Sequence, residues 1–286
     1  MRHNAVVTTA SRTAVGVAAL RAAHQVIDEP PRILDDPIAI RLLEPELRER
    51  VLGARGVSRE ALRQGLRSHV VLRSRFSEDC LAEAAARGVR QYVILGAGLD
   101  TFAWRQPPWA SALQIFEVDQ PASQLDKRAR LDRAGLAPPP NLTFVPVDFE
   151  VEALDTRLAA CGLDGAQPVF YSWLGVTPYL NEAAIDEVLR VIAGGGTGTD
   201  VVLTFAPVEG ATPGTSMVEQ MAAAVGEVFR SHFTTDGLDA KLRAFGFSEV
   251  SFLTPELSAA RYFAGRRDDL PPPRRTSIVR ARLPSV

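Results

Sequence analysis

The sequence predicts an α/β fold: a mostly parallel, seven-stranded sheet with helices on both faces, entered through an N-terminal helical cap. Three observations predict it. Residues 1–88 carry helical periodicity and no strand-like run. From Gln91 onward, short continuous apolar runs alternate with helix-period segments, the pattern of parallel strands buried on both faces. After Phe245 the order changes, and two strand-like runs follow as a closing pair.

The cap opens with Thr13–Val26, where Val15, Ala18, Ala19, Ala22, Ala23 and Val26 recur at helical spacing. Asp36-Pro37 reads as a cap followed by proline at the first helical position, leading into Ile38–Leu43. Ser58 suits the N-cap of a long helix carrying Leu62, Leu66, Val70, Val71, Phe76, Leu81 and Ala85 and closed by Gly88. The first strand is Tyr92–Leu95. Leu113–Val118, Leu142–Val147, Val169–Trp173 and Val201–Phe205 follow as strands two to five. Helices fall at Pro121–Ala134, Val151–Ala160 and Glu182–Ala193. Asp236 is placed as the cap of a last helix ending near Phe245, before strands at Glu249–Leu253 and Ser277–Leu283. The domain reading is a cap over residues 1–88 on the substrate side and a core over 89–286.

With 286 residues, of which 46% are hydrophobic, the chain can bury a sizeable core. Its 32 basic and 34 acidic residues nearly cancel, so attraction to nucleic acid or an anionic membrane is not expected. The segment Met1–Ala14 lacks the apolar centre of a signal peptide, and the chain reads as cytoplasmic. Lys127 and Lys241 are its only lysines. Cys80 and Cys161 have no metal-type spacing and read as reduced thiols, so no metal site is expected.

Ligands on such a sheet bind beyond the carboxyl ends of the strands. After the first strand comes Gly96-Ala97-Gly98-Leu99-Asp100-Thr101, where glycine lets the backbone turn and approach a ligand closely. Thr101 stands where a dinucleotide loop has its third glycine, and Asp100 would repel a diphosphate. A cationic ligand without phosphate tolerates that acid. After the second strand come Glu117 and Asp119, on one face by alternation, and either can accept two hydrogen bonds from a vicinal diol. Asp119 lies 23 residues beyond Gly96, close to the roughly 20 expected of a ribose-binding acid, and is preferred as the residue at the strand tip. After the third strand comes Asp148-Phe149, an acceptor for an adenine amino group followed by an aromatic ring. Together these suggest a nucleoside site.

With these residues placed, the sequence resembles the leucine carboxyl methyltransferase family, and more closely its bacterial branch of S-adenosylmethionine-dependent methyltransferases. The resemblance rests on segments 32–39 (RILDDPIA), 73–79 (RSRFSED), 94–101 (ILGAGLDT), 116–121 (FEVDQP) and 172–180 (SWLGVTPYL), with 261–266 (RYFAGR) as a tail motif. It implies a Rossmann-like class I methyltransferase fold, S-adenosyl-L-methionine as cofactor, and a small-molecule methyl acceptor attacking the cofactor methyl in line. It implies an arginine on the helix before the first strand to meet the cofactor's carboxylate. Arg73 and Arg75 both fit, and Arg75 is preferred because it directly precedes Phe-x-x-Asp. The resemblance further implies cofactor contacts at Gly96, Ala97, Gly98, Asp119, Asp148 and Phe149, with Glu117 and Trp173 included in the set. Family members that methylate a protein carboxylate carry an acid after strand four, where this chain has Ser172-Trp173-Leu174.

No catalytic residue is assigned. His24, His69, His232, Tyr179 and Tyr262 are candidate bases, each more readily a structural side chain. The competing readings are a nicotinamide-dependent oxidoreductase, a cofactor-binding protein without turnover, and an RNA methyltransferase. The last conflicts with the near-neutral charge.

Overall fold

The computed structural model describes residues 11–54, 61–208, 219, 222–223, 226–268 and 270–285. Ser58, the expected N-cap, lies outside the described residues.

The chain opens with α1 (Arg12–Ile27), a 3-10 turn at Ala39–Leu42, α2 (Pro45–Leu52) and α3 (Ala61–Ala86). It continues with β1 (Gln91–Leu95), β2 (Gln114–Asp119), α4 (Pro121–Arg133), β3 (Leu142–Pro146) and α5 (Leu154–Ala160). There follow β4 (Val169–Trp173), α6 (Glu182–Ala193), β5 (Asp200–Thr204), α7 (Thr235–Ala244), β6 (Glu249–Phe252), α8 (Pro255–Ser258) and β7 (Ile278–Arg282). The sheet runs β3-β2-β1-β4-β5-β7-β6, with only β7 antiparallel to its neighbours. This is the mostly parallel, seven-stranded, Rossmann-like arrangement read from sequence.

The elements form for local reasons. Asn181 accepts a hydrogen bond from the Ala184 N–H at 2.9 Å and starts α6, whose Ile185, Val188, Leu189 and Ile192 form one buried stripe. Full burial of each of these side chains contributes about 2 kcal/mol. Asp36 does cap the next turn, accepting from the Ala39 N–H at 3.0 Å, but that turn is 3-10 rather than α. At α7 the cap is Thr234, which accepts from the Gly237 N–H at 3.0 Å, while Asp236 sits in the first turn.

Period-two alternation divides the sheet's side chains between two cores. Val93, Leu95, Val118, Tyr171, Trp173 and Leu203 pack with α5, α6 and α7. Tyr92, Ile94, Ile115, Phe170 and Val202 pack under Val71, Leu72, Phe76 and Leu81 of α3. A third cluster joins Ala18 and Ala22 of α1 to Ala39, Leu42, Leu99 and Leu131. Thus α3 lies on the sheet, whereas α1 lies across the loops at its carboxyl edge. Among the described residues no helix is long and apolar enough to cross a membrane.

Candidate functional site

The chain runs outward from β1 through β2 to β3, then returns to place β4 on the other side of β1. The direction therefore reverses between β1 and β4, and the loops beyond their ends separate. A crevice of about 610 Å³ opens there, within the range of small-molecule sites.

Its floor is the glycine loop. Gly96 has φ +65° and Gly98 φ +49°, conformations that strain any residue with a Cβ. A Cβ on Gly96 would also stand 2.3 Å from a Val176 methyl. Only a 3-10 turn, Phe102–Trp104, follows the loop, so the helix N-terminus that a dinucleotide's pyrophosphate uses is not built. Asp100 accepts from the Phe102 N–H at 2.8 Å and starts that turn while lining the crevice.

Asp119 lines the crevice beside this loop. One carboxylate oxygen accepts from the Gly98 N–H at 2.5 Å and the other from the Gln120 N–H at 2.7 Å. Burial raises its pKa, and those two N–H groups, with the Lys127 charge, act in the opposite direction. Glu117 points elsewhere: it is 1% exposed, bound to Lys127 Nζ at 2.5 Å, and away from the crevice lining. Alternation put both acids on one face, but α4 covers Glu117 and leaves Asp119 at the open strand end. Asp148 and Phe149 line the far wall. One Asp148 oxygen accepts from the Glu150 N–H at 3.0 Å, while the Phe149 N–H meets no acceptor among the described residues.

Two sequence assignments change. Arg75 is about half exposed on the outer face of α3, donating to Asp79 at 2.8 Å. Two residues along a helix is 200° of rotation, and it is Arg73 that faces the crevice. The Arg73 guanidinium lies over Gly175, where an added Cβ would stand 2.7 Å from Nη1. It has no hydrogen-bond acceptor among the described residues. Burial, and then the neighbouring Arg21 charge, push its pKa down to about 10, against the pull of Tyr179 and Asp100. Trp173 is fully buried in the sheet core and does not reach the crevice. As the last residue of β4 it shares parity with Val169 and Tyr171. Ser172, of opposite parity, lines the crevice instead.

Sequence reasoning missed the roof. Ser11, Thr13, Ala14, Val17 and Arg21 of α1 cover one side, and Glu227, Val228 and Arg230 the other. The Glu227 carboxylate accepts from Ser11 Oγ at 2.9 Å and from the Thr13 N–H at 3.3 Å, clasping the start of α1. Tyr179 closes the gap, hydrogen bonded to Thr13 and edge-on to Phe229. Burial raises its pKa and keeps the phenol protonated. Beneath the roof, buried Asp36 forms an ion pair with Arg21, its carboxylate 2.9 Å from Nε, and accepts a hydrogen bond from Thr101 Oγ1 at 2.8 Å. Burial would raise the Asp36 pKa, but Arg21 and Arg105 outweigh it and hold the carboxylate ionised. This ties the cap to the glycine loop.

The histidines lie elsewhere. His24 is buried between the Asp28 carboxylate at 2.8 Å and the Ile33 N–H at 3.1 Å, a structural bridge. The pKa of His69 is pushed down to about 3 by burial and then by Arg73, so it is neutral at physiological pH. His232 pairs with Glu219, and Tyr262 donates to Asp79 at 2.9 Å. Among the described residues there is no cluster of three or more metal-type side chains.

The sequence profile of the leucine carboxyl methyltransferase family matches residues 14–193. YktD of Bacillus subtilis, assigned as an S-adenosyl-L-methionine-dependent methyltransferase, is 33% identical over 204 residues, 69% of this chain and 67% of its own. A Mycobacteroides abscessus protein with the same assignment is 34% identical over 236 residues, 81% of this chain and 74% of its own. A third, from Mycobacterium avium, is 32% identical over 194 residues and matches over 60% of its length. The crystal structure of an assigned methyltransferase from Thermobifida fusca superposes with a TM-score of 0.55 at 16% identity, covering 94% of both chains. A DUF574 family protein from Streptomyces avermitilis gives 0.54 at 16% identity, covering 93% of this chain and 97% of its own. At such identities the structural likeness concerns the fold.

Proposed function

This chain belongs to the leucine carboxyl methyltransferase family, and from that premise we propose that it binds S-adenosylmethionine in the β1/β4 crevice and methylates an oxygen of a small molecule. The observation that carries the reading is Arg73, a half-buried guanidinium that faces the crevice without an acceptor among the described residues. A planar cation with no protein acceptor suits a carboxylate held bidentately.

The rest of the crevice fits the same ligand. Asp119, aimed by two backbone N–H groups, keeps lone pairs for the ribose hydroxyls. Asp148 and the Phe149 N–H present an acceptor and a donor to an adenine edge. Gly96, Ala97 and Gly98 bring backbone close beneath. Asp100 sets a negative charge near the cationic centre. Glu117 and Trp173 act behind this surface, not on it.

When bound, S-adenosylmethionine supplies an electrophilic methyl on a sulfonium. The chain's own work is then orientation and exclusion of water. Arg73 and Asp119 fix two distant points of one ligand, and α1 covers it. The acceptor side, lined by Ala14, Val17, Tyr179 and Val228, offers a hydroxyl donor rather than a base. That lining favours an acceptor whose oxygen arrives already anionic, a carboxylate, over a neutral hydroxyl. In this reading residues 1–88 are the substrate-side cap over the 89–286 core.

Calorimetric titration with S-adenosylhomocysteine, with NADH in parallel, tests the proposal. Binding of the thioether alone, weakened at least tenfold in Asp119→Ala, supports it. Binding of NADH, or of neither, refutes it. Transfer of a labelled methyl to an added carboxylic acid separates an enzyme from a protein that only binds.

A further inference from the structure

Behind Asp119 lies a buried ion pair that the proposed reaction does not use. Glu117 and Lys127 are each 1% exposed and 2.5 Å apart. Lys127 comes from the second turn of α4, and its ammonium lies 5.2 Å from the centre of the Trp104 ring, which completes its enclosure. Burying two charges is costly even when they are paired. The pair is also imperfect, since Glu117 Oε1 has no hydrogen-bond partner in the structure. Such an arrangement is no better for the fold than an apolar pair would be, which points to another role for the charge.

What else it acts on is the crevice acid. Glu117 and Asp119 share a face of β2, and Asp119 is where that face meets the ligand space. Asp119 shares the crevice lining with two other acids, Asp100 from the glycine loop and Asp148 beyond β3, and Glu117 stands two residues away on its own strand. The cations are Lys127 from α4, whose charge reaches Asp119, and, in the crevice lining, Arg73, Arg21 ion-paired with Asp36, and Arg230 ion-paired with Glu150. We propose that Lys127 is a positioning residue whose ammonium, acting on Glu117 and Asp119 together, holds the crevice-facing carboxylate anionic so that it can bind the ligand's hydroxyls. The proposal rests on the cofactor reading above. The directions of titration agree with it. Burial, opposed by Lys127 and reinforced by Asp100, pushes the Glu117 pKa up. At Asp119 the Lys127 charge opposes burial in the same way.

The sign follows from charge alone. Removing the ammonium raises the Asp119 pKa, and removing the Glu117 charge lowers it. Lys127→Met and Glu117→Gln should therefore move cofactor binding in opposite directions along the pH axis. The measurement is the dissociation constant of S-adenosylhomocysteine between pH 5.5 and 9 for the wild-type chain and each variant. For Lys127→Met the acid limb should move up by about one pH unit, so that affinity falls on the acid side, approaching tenfold below both limbs, and recovers by pH 9. For Glu117→Gln, close to isosteric, the limb should move down. If Lys127→Met loses affinity equally at every pH, the lysine is merely structural and the proposal fails. If Lys127→Met does not fold, Glu117→Gln decides: a limb that stays put or moves up overturns the proposal. Absence of wild-type binding at all pH values would instead overturn the cofactor reading itself.

Discussion

The crevice has a floor and a roof, and the two are built on different physical terms. The floor is backbone: positive-φ glycines at 96 and 98, and Asp119 aimed by N–H groups of neighbouring loop residues. The roof is side chain: Arg73 on α3, Arg21 on α1, and Glu227 reaching across 216 residues of sequence to Ser11. The floor is thus fixed by the sheet that carries it, whereas the roof depends on contacts between segments that could separate. The floor should set whether the fold and the ligand's orientation survive. The roof should set how tightly the ligand is held.

The sharpest break in that comparison is at Arg73. Arg73→Met removes the one guanidinium that faces the crevice unpaired, and should weaken S-adenosylhomocysteine about 100-fold, near 3 kcal/mol. The melting temperature should hold, because the half-buried guanidinium has no acceptor among the described residues to lose. Arg75→Met is the matched control. Arg75 is half exposed in an i,i+4 pair with Asp79, so its loss should leave affinity unchanged. Equal losses in the two variants would return the choice between these arginines to where the sequence left it. On the floor the expected effect is on stability. Gly96→Ala forces an L side chain to φ +65° and a Cβ against Val176, at a cost of about 2–3 kcal/mol in urea denaturation. A change below about 0.5 kcal/mol, the scatter of ordinary surface substitutions, would show that the loop is free to rearrange.

The same division explains how much the sequence revealed. The five strands β1 to β5 were legible because a buried parallel strand is a local apolar run between turn signals. That Gly96, Gly98, Asp119, Asp148 and Phe149 line the crevice was legible because topology opens it immediately after strands, at positions countable from the strand itself. Glu117 and Trp173 were over-read. Both stand at strand positions whose exposure depends on what packs above them, α4 in one case and the sheet core in the other. The Arg73/Arg75 choice turned on which face of α3 meets the sheet. The apolar residues Val71, Leu72, Phe76 and Leu81 spread around much of α3 and did not resolve it, since Val71 lies four residues from Arg75 and on the same side of the helix. The roof left no trace either. Ser11, Thr13 and Glu227 become neighbours only when the chain closes, and nothing in a polar triplet near one terminus points to a glutamate 216 positions away.

That closure supplies the smallest and most local expectation. Helix α1 already has an N-cap, with Ser11 Oγ accepting from the Ala14 N–H at 3.1 Å. The Glu227 carboxylate adds a second acceptor at the Thr13 N–H and a negative charge at the positive end of the helix. Glu227→Ala should therefore not unfold α1. It should release the first turn by about 1 kcal/mol, seen as roughly fivefold faster amide exchange at Thr13 and Ala14 with little change at Ala22. Because Thr13 also holds the Tyr179 phenol, the loosened turn should cost ligand affinity only a few-fold, far less than Arg73→Met. A loss as large as that at Arg73 would mean that the clasp, and not the guanidinium, governs retention, and the roof would then act as one cooperative unit with the floor rather than as a separable cover.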